Sequence, residues 1–385
     1  MRQLTYARSR LWLGISGVGF FVLLASLALV TRLPYRLLPV TQLPLWQELL
    51  WVSAVLAAYT VLSWPFDFLG GYHLPCTHAR MCQMLPAFVW TCVRGAAGHC
   101  TVTLIGAGVL LTAGRAGGRL AAVGAAAVLM IALVVLQAPI SRLVGGLHRV
   151  RADLSAVEAV LQKWKMPVPP ILVFRGVDGG FSGGVAGFPG VTHIVIPDHW
   201  LRHLAPEEVA VEIVRRYGAV ATGSRARGVL LAMAWNLSGL WLATYQPLAN
   251  FDSVAGLVSL ALAFNAWSFL GLLVLPTLSR AGVLEADAFA RKAGVPAAWF
   301  DRTISSLDQM QDDEPARPDG IETIFHPIPS VARRQQEFSA AGEHWGAWHA
   351  ARMALYLSWG SMGLLARAVH CNSGRPELWV MLPAD

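Results

Sequence analysis

Residues 11–30 read LWLGISGVGFFVLLASLALV, a run without a charged side chain. A helix needs about 20 mostly apolar residues to cross the hydrocarbon of a bilayer, and this run has that length. Residues 120–136, LAAVGAAAVLMIALVVL, form a second such run, and windows at 45–64, 90–111, 229–244 and 254–275 complete a set of six. The window at 90–111 is the weakest, because Arg94 and His99 lie near its start and suit an interface or a polar groove better than lipid. Composition points the same way. Of 385 residues 55% are hydrophobic and 14% charged, and mean hydropathy is +0.50, more apolar surface than one soluble core can enclose. The expectation is an α-helical polytopic membrane protein with about six spans, multi-pass in a lipid bilayer.

Arg2, Arg8 and Arg10 precede the first window, yet it is too long for a secretory leader, lacks a small-residue cleavage site and is followed by further spans. With six spans, the short basic flanks all fall on one side: those three arginines, then Arg142, Arg149 and Arg151, then Arg225 and Arg227, then Arg280. That side is expected to be cytoplasmic, against which stand Arg32, Arg36, Arg115 and Arg119 on the other. The net charge of +7 is explained by these flanks, and no basic run is interleaved with aromatics, so nucleic acid is excluded as a partner. Cys76, Cys82, Cys92, Cys100 and Cys371 form no CxxC pair and read as small apolar fillers.

Polarity rises after residue 139. Leu143, Leu147, Val150, Leu154, Val157 and Leu161 keep a helical period, which predicts one amphipathic helix over 141–162, ended by Pro167, Pro169 and Pro170. Two strand-like runs follow, 171–174 and 193–196, separated by a glycine-rich stretch at 179–190. Residues 206–222 predict a helix with Pro206 in its first turn, Glu207 and Glu208 at the positive end of its dipole, and Val209, Ile213, Tyr217 and Val220 along one face. A further helix is expected to begin near Arg280, an exposed loop at 308–320, and an amphipathic or docked helix at 345–368. The organisation expected is a four-span region at 1–139, the first part of a small α+β domain at 140–227, two further spans at 228–277, and the second part of that domain with a C-terminal helix at 278–385.

This order of elements resembles the membrane zinc metallopeptidases that include the CAAX prenyl proteases and the HtpX heat-shock proteases. The likeness runs over residues 65–338. Trp64-Pro65-Phe66-Asp67-Phe68-Leu69-Gly70-Gly71-Tyr72 is similar to the loop after the second span in the prenyl-protease branch. Phe181-Ser182-Gly183-Gly184-Val185-Ala186-Gly187-Phe188-Pro189-Gly190 resembles the substrate-edge strand. Leu204-Ala205-Pro206-Glu207-Glu208-Val209 is similar to the lead-in to the zinc helix, and Leu284-Glu285-Ala286-Asp287 resembles the segment supplying the third zinc ligand.

In such enzymes a helix carries HExxH, whose spacing sets two imidazoles on one face to hold zinc beside a glutamate that activates the metal-bound water. The register places Arg215 at the first histidine, Arg216 at the glutamate and Ala219 at the second histidine. An arginine stays protonated and only donates, so it cannot ligate a cation. Glu285 and Asp287 remain as remnants of the metal site, Glu285 being expected to face Arg215 or Arg216 as an ion pair in place of a metal bridge. Ser182, Gly183, Gly184 and Val185 form the candidate substrate edge, with serine where the family has asparagine. Phe325-His326-Pro327 resembles the family's His-Pro motif, but Pro329-Ser330-Val331-Ala332-Arg333-Arg334 fits the residues after it in a second register that puts Ile328 at the histidine.

The resemblance therefore implies a metallopeptidase fold with a degenerate site and no metal. The expected function is a catalytically inactive relative with a peptide or membrane-protein partner. Two alternatives are an active zinc metalloendopeptidase with an unorthodox site, and a lipid-binding or transport-like protein in which Arg94, His99 and Asn265 line a shared cavity. His193, His199 and His203, with Glu207 or Glu208, are a weaker candidate for a relocated metal site.

Overall fold

The computed structural model describes residues 4–80, 82–176, 178–187 and 192–380. Helix α1 (Tyr6–Val30) is started by the Thr5 side chain, which accepts from the Arg8 backbone N–H. A short α2 (Leu33–Leu37) follows, and α3 (Leu45–Phe68) passes through a π-helical turn (Leu69–His73) into α4 (Leu74–Thr77). The next helix, α5 (Leu85–Val135), takes in both the third and the fourth apolar windows. It is broken at Gly117 and Gly118, where φ of +65° is open to glycine at little cost.

Among the described residues four helices are long and apolar enough to cross a membrane: Tyr6–Val30, Leu45–Thr77, Leu85–Val135 and Val254–Lys292. This defines an integral membrane protein, mostly helical, in contact with a lipid bilayer. The fifth predicted window falls on a helix outside that set, whose first turn carries Arg225 and Arg227.

The amphipathic helix expected at 141–162 is two helices with a strand between them. After α6 (Gln137–Gly145), Gly146 takes φ of +64° and reverses the chain into β1 (His148–Val150), before α7 (Ser155–Lys163). The strands β2 (Ile171–Arg175), β3 (Gly184–Ala186) and β4 (His193–Pro197) complete a sheet of order β1-β2-β4-β3. Its β2 and β4 are parallel, and β3 forms an antiparallel edge with Val185 opposite Ile194. Phe188, Pro189 and Gly190 of the expected edge segment lie outside the described residues.

After α8 (Trp200–His203) comes α9 (Pro206–Ala221), as its start signals predict; Glu208 accepts from the Ala205 backbone N–H at 2.8 Å. The next helices are α10 (Ser224–Ala243) and α11 (Val254–Lys292). No new helix begins at Arg280: α11 runs unbroken past Pro276 and out of its apolar part into the domain. Helix α12 (Ala297–Gln311) then packs on α9, α13 (Asp319–Phe325) on α11, and α14 (Val331–Ala340) on α11 and α12, and the loop expected at 308–320 is confined to 312–318. The core beneath them joins Val173, Ile196, Ile213, Phe300 and Phe338, drawn from both sides of α10 in sequence.

The C-terminal segment docks, but as a long helix it is not realised. Helix α15 (Ala350–Leu357) gives way to two 3₁₀ turns (Ser358–Ser361 and Leu365–Arg367) and a short α16 (Glu377–Val380). Trp359 and Trp379 are fully buried in the same apolar cluster as Leu110, Leu257 and Phe264 of the long helices. Met362 at φ of +63°, Gly360 and Gly363 break the helical period here. Cys76 and Cys82 are joined in a disulfide, whereas Cys92, Cys100 and Cys371 are free, so the reading as apolar filler fails for the first pair.

Candidate functional site

The positions that the resemblance singles out meet where α9, α11, α14 and the edge of the sheet come together. Amphipathic α9 turns Arg215 and Arg216 inward, and both are 1% exposed. Charge buried to that degree is stable only where it is paired and hydrogen-bonded. Arg215 Nε donates to Asp287 Oδ1 at 2.6 Å, and its Nη1 donates to Glu212 Oε1 one turn back. Asp287 also receives Arg334, Nε at 2.9 Å and Nη2 at 3.1 Å, so one carboxylate joins α9, α11 and α14. Arg216 donates to the backbone carbonyls of Val195 (2.9 Å) and Ser182 (2.7 Å), lies 3.5 Å from Glu212, and stacks over Trp200. It thereby ties α9 to β4 and to Ser182, the first residue of the candidate substrate edge, while the buried Ser182 hydroxyl has no hydrogen-bond partner among the described residues.

Glu285 is differently engaged from the expectation. Its carboxylate takes Arg227 Nη2 at 2.7 Å on both oxygens and the Gly346 backbone N–H at 2.9 Å. The carboxylate that meets Arg215 is Asp287, half a turn further along α11. Because successive side chains on a helix are about 100° apart, the two acids at i and i+2 point to different partners.

Residues 346–351 lie across this junction. The Gly346 carbonyl accepts from Ser224 Oγ (3.2 Å) and Arg227 Nε (2.8 Å), and the Trp348 N–H donates to the Ser224 carbonyl at 3.1 Å. The Ala347 N–H reaches the Leu278 carbonyl and the Ala351 N–H reaches Ser279 Oγ. Such close approach depends on glycine: a Cβ on Gly228 would lie 2.2 Å from the Trp348 carbonyl oxygen, and one on Gly346 2.0 Å from the Gly282 nitrogen. The Trp348 ring joins Ala219, Val185, Val283 and Ala286 in one buried cluster, with Ile328 packed against it.

The remaining candidates are dispersed. His326 is 5% exposed beside His370, its backbone oxygen accepting from Arg280. Of the two His-Pro registers, Ile328 is the residue that approaches the Ala219 cluster. Arg333 is half exposed and 3.5 Å from Glu322. His99 packs edge-on against Trp359, and Asn265 accepts from the Leu364 N–H, so both serve the packing of the C-terminal segment. His193 opens β4, while His199 and His203 border a cavity whose lining includes none of the arginine-core residues.

Zinc is held by neutral imidazole, thiolate or carboxylate donors. At the positions that the resemblance would make zinc ligands stand a guanidinium group, an alanine under an indole, and a glutamate already bound to an arginine, with a second guanidinium at the position of the water-activating glutamate. These residues do not fit the ion. Among the described residues no group of three or more His, Cys, Asp or Glu is arranged to hold a metal. Glu212, Arg227, Gly346 and Trp348 were not anticipated; of these only Glu212 carried a local signal, lying three and four residues before the two arginines.

Fold and site together define a polytopic helical membrane protein that carries a small sheet-and-helix domain with a buried, ion-paired arginine core. Among solved structures, the crystal structure of S. mikatae Ste24p is similar, with a TM-score of 0.63 over 83% of this chain and 80% of that chain, at 13% identity. Ste24p is a CAAX prenyl protease, so the resemblance read from the sequence holds at the level of fold. No protein-family model and no curated protein matches the chain.

Proposed function

We propose that this chain is a membrane-embedded pseudopeptidase of the CAAX prenyl protease group, one that keeps the scaffold and has exchanged the metal site for an arginine–carboxylate core. The observation that carries this reading is Arg215, held between Glu212 and Asp287 with all three at most 2% exposed. A permanent cation in that place repels a divalent metal and has no free pair to donate. The reading extends to six spans, with α5 crossing twice about its Gly117–Gly118 break and α10 as the fifth. Both termini and the split domain, 140–227 with 278–385, then lie on the arginine-flanked, cytoplasmic side.

Residues 346–351 occupy the ground beside Val185 where a peptide would lie along the edge strand, which favours a scaffold or assembly role over peptide capture at that edge. The test is hydrolysis of a generic peptide and of a prenylated C-terminal peptide by the purified chain, compared with Glu285→Ala. The expected result is no hydrolysis above the variant. Hydrolysis that Glu285→Ala abolishes would replace this reading with an active metalloendopeptidase.

A further inference from the structure

A cavity of about 590 Å³ lies away from the arginine core, between the first turns of α1 and α5, the 176–180 loop, α8 and the C-terminal residues 374–377. Its volume is that of a small-ligand site. Three features specify what would occupy it.

The first is unmet polarity. Glu377 is 2% exposed, and its Oε1 is buried with no hydrogen-bond partner among the described residues. Gln83 Oε1 and His199 Nε2, also on the wall, are likewise buried and have no hydrogen-bond partner among the described residues. Buried polar atoms are seldom left unsatisfied: the two oxygens call for hydrogen-bond donors, and the imidazole nitrogen gives or accepts according to its tautomer. Burial pushes the Glu377 carboxyl up to about 7, so near neutral pH it both gives and accepts, as suits a hydroxyl better than an ammonium.

The second is charge at the mouth. Arg202 has a side chain 62% exposed and only a loose 3.5 Å contact to Asp198, and His203 beside it is exposed. Arg80 completes the rim, stacked over Tyr6 and 3.4 Å from Asp313. The loop that presents Arg80 is closed by the Cys76–Cys82 disulfide. Asp178 is taken up by Arg375 inside the cavity, which leaves the rim basic. An amine would meet three arginines here, whereas an anion is attracted.

The third is depth. Tyr6, Phe88 and Thr91 belong to the ends of membrane-crossing helices, so the cavity lies at the level of lipid headgroups.

We propose that this cavity binds a polyol phosphate, the chemistry shared by an acidic phospholipid headgroup and a free glycerol or sugar phosphate. The phosphate lies at Arg202, His203 and Arg80, and the hydroxyls reach Glu377, His199 and Gln83. This site is independent of the arginine core and of whether the chain hydrolyses peptides.

The full chain in phosphatidylcholine nanodiscs is titrated with phosphatidylglycerol, and in a second arm with glycerol 3-phosphate, retention being read by native mass spectrometry. The expected result is preferential retention of phosphatidylglycerol, reduced roughly tenfold both by Arg202→Ala with His203→Ala and by Glu377→Leu, because each removes charge-assisted or buried hydrogen bonds. Retention that glycerol 3-phosphate competes away assigns the site to a soluble ligand, and retention that it leaves unchanged assigns it to the lipid; both support the proposal. Equal retention of the two lipids with no glycerol 3-phosphate bound would overturn it. So would a preference that follows the rim charge but ignores Glu377→Leu, since that is surface electrostatics alone.

Discussion

Arg215 Nε and Asp287 Oδ1, 72 residues apart in sequence, meet at 2.6 Å inside the domain and fasten α9 to the long helix α11. Removing one partner of a buried pair leaves an uncompensated charge, at a cost of roughly 3–5 kcal/mol. Arg215→Ala is therefore expected to destabilise the domain by about that much in chemical unfolding. Arg227→Ala breaks a pair whose arginine is a quarter exposed, and solvent screening should hold its cost to about 1 kcal/mol or less. Equal costs for the two variants would mean that the buried network does not hold the domain together.

The Trp348 ring and Ala219 share one cluster, and Ala219 is fully buried. Ala219→His should overpack it and destabilise by roughly 1–3 kcal/mol, and Trp348→Ala should open a cavity costing about 3–5 kcal/mol. Combined, the two changes should be less harmful than their sum, a coupling that a double-mutant cycle reads directly. Strict additivity would place the indole elsewhere.

Much of this was legible in the sequence. Windows of apolar residues announced the membrane helices because length alone decides whether a helix can cross, and Pro206 with Glu207 and Glu208 announced α9. What failed were contacts with no local period. Leu143, Leu147, Val150 and Leu154 keep a helical spacing across a strand, and only Gly145-Gly146 betrayed the break. Nothing near Trp348 signals that its segment crosses a junction built by Ser224, Gly228 and Gly282. Glu285 was assigned the wrong arginine because the register fixed which residues stand near the site, whereas the rotation of α11 decides which way each carboxylate points.

Burial lowers the His326 imidazole to about 2, with Arg317 and His370 adding to the shift. The folded state then resists a proton that the unfolded chain takes up near pH 6.5, so stability is full above that value and is lost as pH falls below it. This histidine contributes about 1.4 kcal/mol per pH unit over that window. His326→Gln should flatten the dependence of unfolding free energy on pH between about 6.5 and 5 relative to the wild type. Parallel curves would show that His326 is freely protonated in the fold.

Reporter fusions after residues 151 and 247 should report opposite sides of the membrane, as six spans require. The Cys76–Cys82 pair lies on the domain side through the Arg80 contact to the Gln309 carbonyl. In a cytoplasmic setting the two thiols should be reduced in cells and labelled by a membrane-permeant maleimide. Equal reporter signals would defeat the topology, and a bridge that stays oxidised in cells would move the domain to the opposite compartment.

The central claim is that the arginine core has displaced the metal, and zinc per chain tests it most directly. Purified wild-type protein should carry no stoichiometric zinc. Restoration needs Arg215→His, Arg216→Glu and Ala219→His, together with Trp348→Ala to make room for the second imidazole. Zinc bound by that variant and not by the wild type is the predicted result. Stoichiometric zinc in the wild type, lost on Glu285→Ala, would contradict the account.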